Sequence, residues 1–459
     1  MDGAVHPKVK KQSSFASDVA GTFFTKVFVF AIGLVTSIIT ARVLGPHDRG
    51  ILSLTTSGTT TLADMAKLGL GQANIYYMRK DKVSPATLAA NALFTALAFG
   101  CGMIAIAYLG KENLLASVLR GLDTTHLFMV LPAIPLLLAE SYIFAIFQGL
   151  GRFDLFNRRQ LIAALLGLSL TVLVLVVFRS GLLGAIATFV VVKAVMDLWL
   201  IGSLYRLCPW PFAFDFAVTR KLLRFGVKSH FQTLATHLHS RSDLYVIAYF
   251  LTPADVAFYA IATRMAELLL YIPNSMGLAL YPRLAGSDDE KRENLIVVVL
   301  RHTLCINLAA AVIGSLLGPL LIGVWYGEAY APAARPFVYL LPGLVMMSLF
   351  FMLTRNFTSQ NRQEVNILAS VVALLLNIGL NFILIPRFGV VGAALSSSFS
   401  YSLASLILLV FFLKETGRSV GDIFSFNSGE LRIYGRFGGQ IWSTLQTVTK
   451  TARGAQTQR

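Results

Sequence analysis

Charge is what this sequence has least of. Asp, Glu, Lys and Arg make up 14% of its 459 residues, where a soluble chain carries about a quarter. Hydrophobic residues reach 56% and the mean hydropathy is +0.68, which excludes a fold built wholly for water. Cysteine is nearly missing as well. Cys101, Cys208 and Cys305 stand far apart, so they offer neither a zinc spacing nor a disulfide framework. No HExxH or Walker sequence occurs, and the metalloprotease and P-loop readings fall away. His237 and His239 are two apart and would point in different directions from one helix, so they are not a metal pair. The longest interval between apolar runs, about Tyr205 to Lys228, is too short to fold alone. The short loops also lack the clustered acids of a membrane glycosyltransferase. No enzymatic role, cofactor or metal is expected.

What is present is a succession of apolar runs near the roughly 20 residues that cross a bilayer. Twelve spans are predicted, at 19–40, 50–77, 86–109, 124–149, 160–178, 182–204, 229–250, 255–281, 294–324, 334–354, 364–385 and 388–413. The first run is too long for a signal-peptide core and lacks a cleavage site, so it reads as a retained span. With the N-terminus inside, 26 of the 39 Lys and Arg residues fall in inner segments and 7 in outer loops. Cytoplasmic termini follow from that bias. It also accounts for the net charge of +16 without nucleic acid.

The sequence repeats. Ala41, Leu44, Pro46 and Asp48 recur as Ala248, Leu251, Pro253 and Asp255, a shift of 207 residues. Arg179, Gly181 and Gly184 recur as Arg387, Gly389 and Gly392 at a shift of 208. Leu131, Pro132 and Arg152 recur as Leu341, Pro342 and Arg362 at a shift of 210. Six spans per copy is an even number, so the copies enter the membrane from the same side and form parallel repeats. The predicted organisation is an N-terminal segment (1–18), an N-lobe (19–206), a linker (207–228), a C-lobe (229–413) and a basic tail (414–459).

The turn from Ala41 to Gly50, the Arg241-Ser242-Asp243 triplet with the turn Leu251 to Asp255, and Tyr281 to Ala285 carry a family resemblance. Together they resemble the polysaccharide repeat-unit (O-antigen type) flippases of the multidrug/oligosaccharidyl-lipid/polysaccharide exporter superfamily, over roughly residues 15–415. The resemblance implies an all-α, V-shaped bundle of about twelve transmembrane helices. It also implies a lipid-linked, prenyl-diphosphate oligosaccharide as substrate, in a bacterial inner membrane, with a polysaccharide polymerase and glycosyltransferases as partners. A cation-coupled multidrug exporter or a lipid-II-type flippase of the same superfamily is the alternative.

Ionisable residues inside spans are costly and normally face a bundle interior or a wet cavity. Here they are Lys26, Lys67, Lys193, Arg241, Arg264 and Arg301, with Asp64, Glu140, Asp197, Asp243 and Glu267. Spacings of three and four allow in-helix pairs for Asp64 with Lys67, Lys193 with Asp197, and Arg264 with Glu267. Such pairs either neutralise themselves or serve a cavity. Arg301 is expected to snorkel from its span end. Lys26 could do the same, although the resembling flippases carry a cationic residue in span 1. Arg241 and Asp243 lie about 200° apart around a helix and need separate partners. Paired guanidinium donors suit phosphate oxygens, so Lys26, Arg241, Arg264 and Lys67 are the expected substrate-binding residues. Asp243, Asp64 and Glu267 are the candidates for cavity lining or for binding a coupling H+ or Na+.

Overall fold

The computed structural model describes residues 15–80, 83–207, 214–274, 276, 289–360 and 362–425. The first half of the chain gives α1 (Phe15–Ala66), α2 (Leu70–Lys80), α3 (Pro85–Leu109), α4 (Lys111–Ala116), α5 (Thr124–Val130), α6 (Ala133–Gly149), α7 (Phe153–Thr171) and α8 (Gly181–Leu207). The second half gives α9 (Phe216–Phe250), α10 (Pro253–Ala266), α11 (Asp289–Tyr326), α12 (Ala334–Ser359), α13 (Gln363–Phe388), α14 (Val390–Thr416) and the short α15 (Val420–Phe424). No strand occurs among the described residues. The predicted closing motif Tyr281 to Ala285, the N-terminal lysines and the tail beyond residue 425 lie outside them.

Among the described residues, ten helical segments are long and apolar enough to cross a membrane. One of these, Thr25–Ala66, holds two of the predicted spans. Gly45 interrupts it with φ 74° and ψ 173°, a conformation open only to glycine, and Pro46 restarts the helix in the favourable first-turn position. The C-terminal part of α9, which carries Arg241 and Asp243, is the other addition, bringing the crossings to the expected twelve. The chain is therefore a multi-pass membrane protein.

The repeat is visible in the backbone. Gly181 and Gly389 have φ of 59° and 61°. Arg152 and Arg362 both cap helices, and their amides both donate to the residue five before, Phe147 and Phe357, at 2.8 Å. Each arginine then reaches the acid two residues on, Asp154 or Glu364. The copies differ at the prolines. Pro132 separates α5 from α6, whereas Pro342 stays inside α12.

The two halves meet at both ends of the bundle. At the Gly45 end, a Cβ on Gly50 would overlap the backbone of Pro253, the counterpart of Pro46. Arg42 donates to the carbonyls of Trp325 (2.8 Å) and Val324 (2.6 Å) there, and the Tyr330 hydroxyl donates to the Ala41 carbonyl at 2.8 Å. At the opposite end Gly69 and Gly226 touch backbone to backbone. Tyr76 stacks on Phe225 with ring centroids 4.4 Å apart, and Asn91 exchanges hydrogen bonds of 3.0 and 2.9 Å with the backbone of Asp215.

Packing at Gly50 leaves no space for a side chain, and overpacking costs about 1–3 kcal/mol. Gly379 in α13 has nothing within 4 Å, and alanine in an open helical site stabilises by about 0.5–1 kcal/mol. Thermal unfolding of the detergent-purified protein should therefore show a lower midpoint for Gly50→Ala and an equal or higher one for Gly379→Ala.

Candidate functional site

Two adjoining cavities lie between the helices, and Thr56 of α1 lines both. The first holds about 340 Å³ and is walled by α1, α7 and α8 of the first half, with Arg264 reaching in from α10. Its charged lining residues are Arg49, Lys193 and Arg264, and no carboxylate is among them. Small residues make the space. Ala163, Ala164 and Gly167 of α7 lie on a helical face toward the cavity. On α1, a Cβ at Gly33 would come within 2.5 Å of the Arg264 Nη2. The Arg264 guanidinium carbon stands 5.5 Å from the Phe30 ring centroid, a cation–π contact. Arg49 donates to Ser53 Oγ at 2.9 Å and more weakly to Ser37 Oγ at 3.5 Å. The Nε donors of Arg49 and Arg264 are both buried without a hydrogen-bond partner. Buried unpaired donors of this kind are where an anion gains most.

The second cavity holds about 400 Å³. Thr56, Ser57, Thr60 and Asp64 line it from α1, Lys67 from the turn that follows, and His237 and Arg241 from α9. Thr56 and Thr60 return their hydroxyl hydrogens to the α1 carbonyls of Leu52 and Ser57, each at 2.8 Å. Their lone pairs stay open to the cavity. Arg241 has no ion-pair or hydrogen-bond partner among the described residues.

Of the predicted site residues, the structure brings Arg264 to the first cavity and Arg241, Lys67 and Asp64 to the second. Lys26 is exposed near the start of α1 and lines neither, and Glu267 also lines neither. Asp64 pairs with Lys67 as its spacing suggested, and it also meets His237 Nδ1 at 2.7 Å across the seam. Asp243 points away from Arg241 and is 1% exposed. It accepts from Tyr259 Oη, Asn381 Nδ2 and Ser397 Oγ, each at 2.5 Å. Asn377, Ser242 and His239 extend this polar knot.

Other expectations are corrected. Lys193 does not pair with Asp197. It meets Glu140 at 2.8 Å, and Glu140 also takes Arg159 at 2.5 Å, with Asp197 3.6 Å from Arg159. Three helices thus share a buried cluster. Arg159, counted in the sequence as a loop cation, is 4% exposed. Arg264 and Glu267 make no ion pair, because the helix tightens to a 3₁₀ turn at Glu267–Leu270 and Arg264 reaches across to α1. Arg301 does not snorkel. It is 6% exposed and donates to the carbonyls of Ile423 (2.8 Å) and Asp422 (2.9 Å), anchoring α15. Arg49 was missed because the Gly45-Pro46 break reads as an outer loop, while the structure starts the second leg of α1 there. Only a helix continued from Pro46 would have placed Arg49 and Ser53 on one face.

Residues 15–287 match the family described as polysaccharide biosynthesis protein, and the chain belongs to that family. Residues 230–383 also match the MatE family. The membership bears out the resemblance to polysaccharide flippases of the exporter superfamily. Among relatives, a probable low-salt glycan biosynthesis flippase of Haloferax volcanii is 22% identical over 42% of this chain and 42% of its own. A putative O-antigen transporter of Shigella flexneri is 23% identical over 60% of this chain and 66% of its own. The matched stretch thus spans less than two thirds of either relative. Among solved structures, a lipid II flippase in an inward closed conformation aligns with TM-score 0.74 and 14% identity, covering 88% of each chain. An outward-facing multidrug resistance MATE family transporter aligns with TM-score 0.63 and 13% identity, covering 89% of this chain and 99% of that one. Both likenesses are of fold.

Glu140 is the hub of the three-helix cluster, and removing one partner of a buried ion pair costs about 3–5 kcal/mol. Glu140→Ala should lower the thermal midpoint far more than Glu328→Ala, which changes an exposed acid. Equal melts for the two variants would refute the assigned role of Glu140.

Proposed function

We propose that this protein flips a prenyl-diphosphate-linked oligosaccharide repeat unit from the cytoplasmic to the outer leaflet of a bacterial inner membrane. The observation that carries this reading is a cavity whose charged lining residues are all cations, Arg49, Lys193 and Arg264. A diphosphate brings two or more negative charges and many acceptor oxygens, and guanidinium donors are well shaped to take them. Arg241 extends the cationic lining into the second cavity, where Lys67 is paired with Asp64 and the hydroxyls of α1 suit sugars. The prenyl chain stays in lipid and follows through a gap between helices.

Transport proceeds by rocking of the N-lobe (19–206) against the C-lobe (229–413), the parallel repeats moving as bodies. With both termini cytoplasmic, outward passage of an anion is favoured by about 2.3 kcal/mol per charge per 100 mV. Asp243 would hold the coupling cation. The hydroxyl oxygens of Tyr259 and Ser397 on its carboxylate, together with the buried and unpartnered Asn381 Oδ1, form the kind of oxygen set that hard cations prefer. A polymerase and glycosyltransferases would act before and after this step.

The test is to delete the gene and extract lipid-linked sugars. Their accumulation on the cytoplasmic face is the expected result, whereas unchanged lipids with raised drug sensitivity would point to a multidrug exporter instead. A hydrogen bond to a charged group is worth about 1.5–3 kcal/mol, roughly a tenfold change or more. Complementation with Arg264→Ala, Arg49→Ala or Arg241→Ala should therefore lose about tenfold in export at equal protein level. Arg387→Ala, exposed at the Gly45 end, should lose none.

A further inference from the structure

The seam between the halves contains a hydrogen-bond chain that can be counted proton by proton. Tyr245 Oη of α9 donates to the Ser57 carbonyl of α1 at 2.9 Å. That carbonyl can only accept, so the single phenolic hydrogen is spent. Tyr245 Oη also lies 2.5 Å from Thr61 Oγ1, and this second contact must take its hydrogen from Thr61. Thr61 Oγ1 in turn lies 3.0 Å from His237 Nε2. With the threonine hydrogen already given to Tyr245, the hydrogen on this third bond must come from the imidazole. Finally, His237 Nδ1 is 2.7 Å from Asp64 Oδ2, and an ionised carboxylate can only accept. All four contacts are satisfied together only when both ring nitrogens of His237 carry hydrogen.

We infer that His237 is a proton-binding site whose charged form latches the two halves together through Asp64 and Thr61. When the proton leaves, Thr61 must donate to Nε2, one of the two Tyr245 bonds is lost, and the Asp64–imidazolium attraction disappears. Every bond given up crosses from α1 to α9. The seam therefore loosens with the proton, next to the Gly69–Gly226 contact that closes that end. The remaining charged and titratable groups nearby are Lys67, which stays on Asp64, Arg241 on the cavity wall, and His230, whose field reaches Asp64. Leu137 is the contribution of α6 to this cavity and carries no charge. Imidazole is the side chain that normally changes charge in the physiological pH range, and His237 lines the second cavity. The assignment extends the proposed transport cycle by naming the group that ties proton binding to lobe separation.

The experiment needs no substrate. In the full-length protein with its three cysteines changed to serine, spin labels are placed at Gln72→Cys on α2 and Arg224→Cys on α9, both exposed. Distances across the Gly69 end are then measured in lipid nanodiscs at pH 6 and pH 8. The expected result is one short distance at pH 6, with a longer population rising about threefold or more at pH 8. His237→Gln, which cannot be charged, should show the same mixture at both values. His237→Arg, charged throughout, should remain at the short distance. Identical distributions at pH 6 and pH 8 in the labelled parent, or a pH response that survives in His237→Gln, overturns the assignment. Neither outcome touches the flippase reading, which the lipid-linked sugars decide separately.

Discussion

An ionised side chain in the middle of a bilayer needs a counter-charge, a set of fixed dipoles or water around it. This chain uses all three solutions, and the placement of its helices follows from them. Glu140 gathers Arg159 and Lys193 from two neighbouring helices, so α6, α7 and α8 are pinned to one another by charges none of them could bury alone. Asp243 is held by a phenol, an amide and a hydroxyl from α10, α13 and α14, which pins the second half in the same manner with neutral partners. Arg49, Arg264 and Arg241 have no carboxylate partner among the described residues, only Arg49 meets side-chain hydroxyls, and each of them lines a cavity. The cavities are thus the third solution to the constraint that shapes the rest of the bundle.

Duplication explains why the scaffold is regular while the chemistry is not. Paired positions such as Gly181 and Gly389, or Arg152 and Arg362, keep the same backbone geometry, because a turn at a span end has few conformations to choose from. The interior has no such restriction. The first half answers burial with an ion cluster, and the second with a carboxylate among neutral donors. Both halves send cations to the cavity walls, Arg49 and Lys193 from the first and Arg264 and Arg241 from the second, while the buried carboxylate among neutral donors belongs to the second half alone. In the function proposed above, this separation would let anion binding and cation binding use different groups of side chains.

Much of this could be read from the residues. Period, length and hydropathy gave the spans, since lipid demands about 20 apolar residues whatever the neighbours. The turns gave the repeat, because Gly45 and Pro46 signal a break locally. Asp64 with Lys67 was legible for the same reason, as a pair within one helix turn. The interactions that escaped are all between helices. Lys193 had a partner at the right spacing in Asp197 yet chose Glu140 from α6, and nothing in the sequence of α8 records how close α6 comes. Arg159 and Arg301 looked like residues at span ends, free to reach water, and became buried once α7 packed on α6 and once α15 folded back onto α11. His237 carried no signal at all until Thr61 and Asp64 were set opposite it.

Closure at both ends has a physical consequence for motion. Gly69 on Gly226 and Gly50 on Pro253 bring backbones together with no side chain between them, a geometry that suits the rocking proposed for transport. The bonds that accompany these contacts are few and directional: Arg42 and Tyr330 at one end, Asn91 with Asp215 at the other. In the proposed cycle, contacts of this kind at the two ends would be exchanged as the halves rock. Between them, charges that need water keep the cavities from collapsing. The residues assigned to cargo binding in the proposed function are thus the ones that also hold the cavities open.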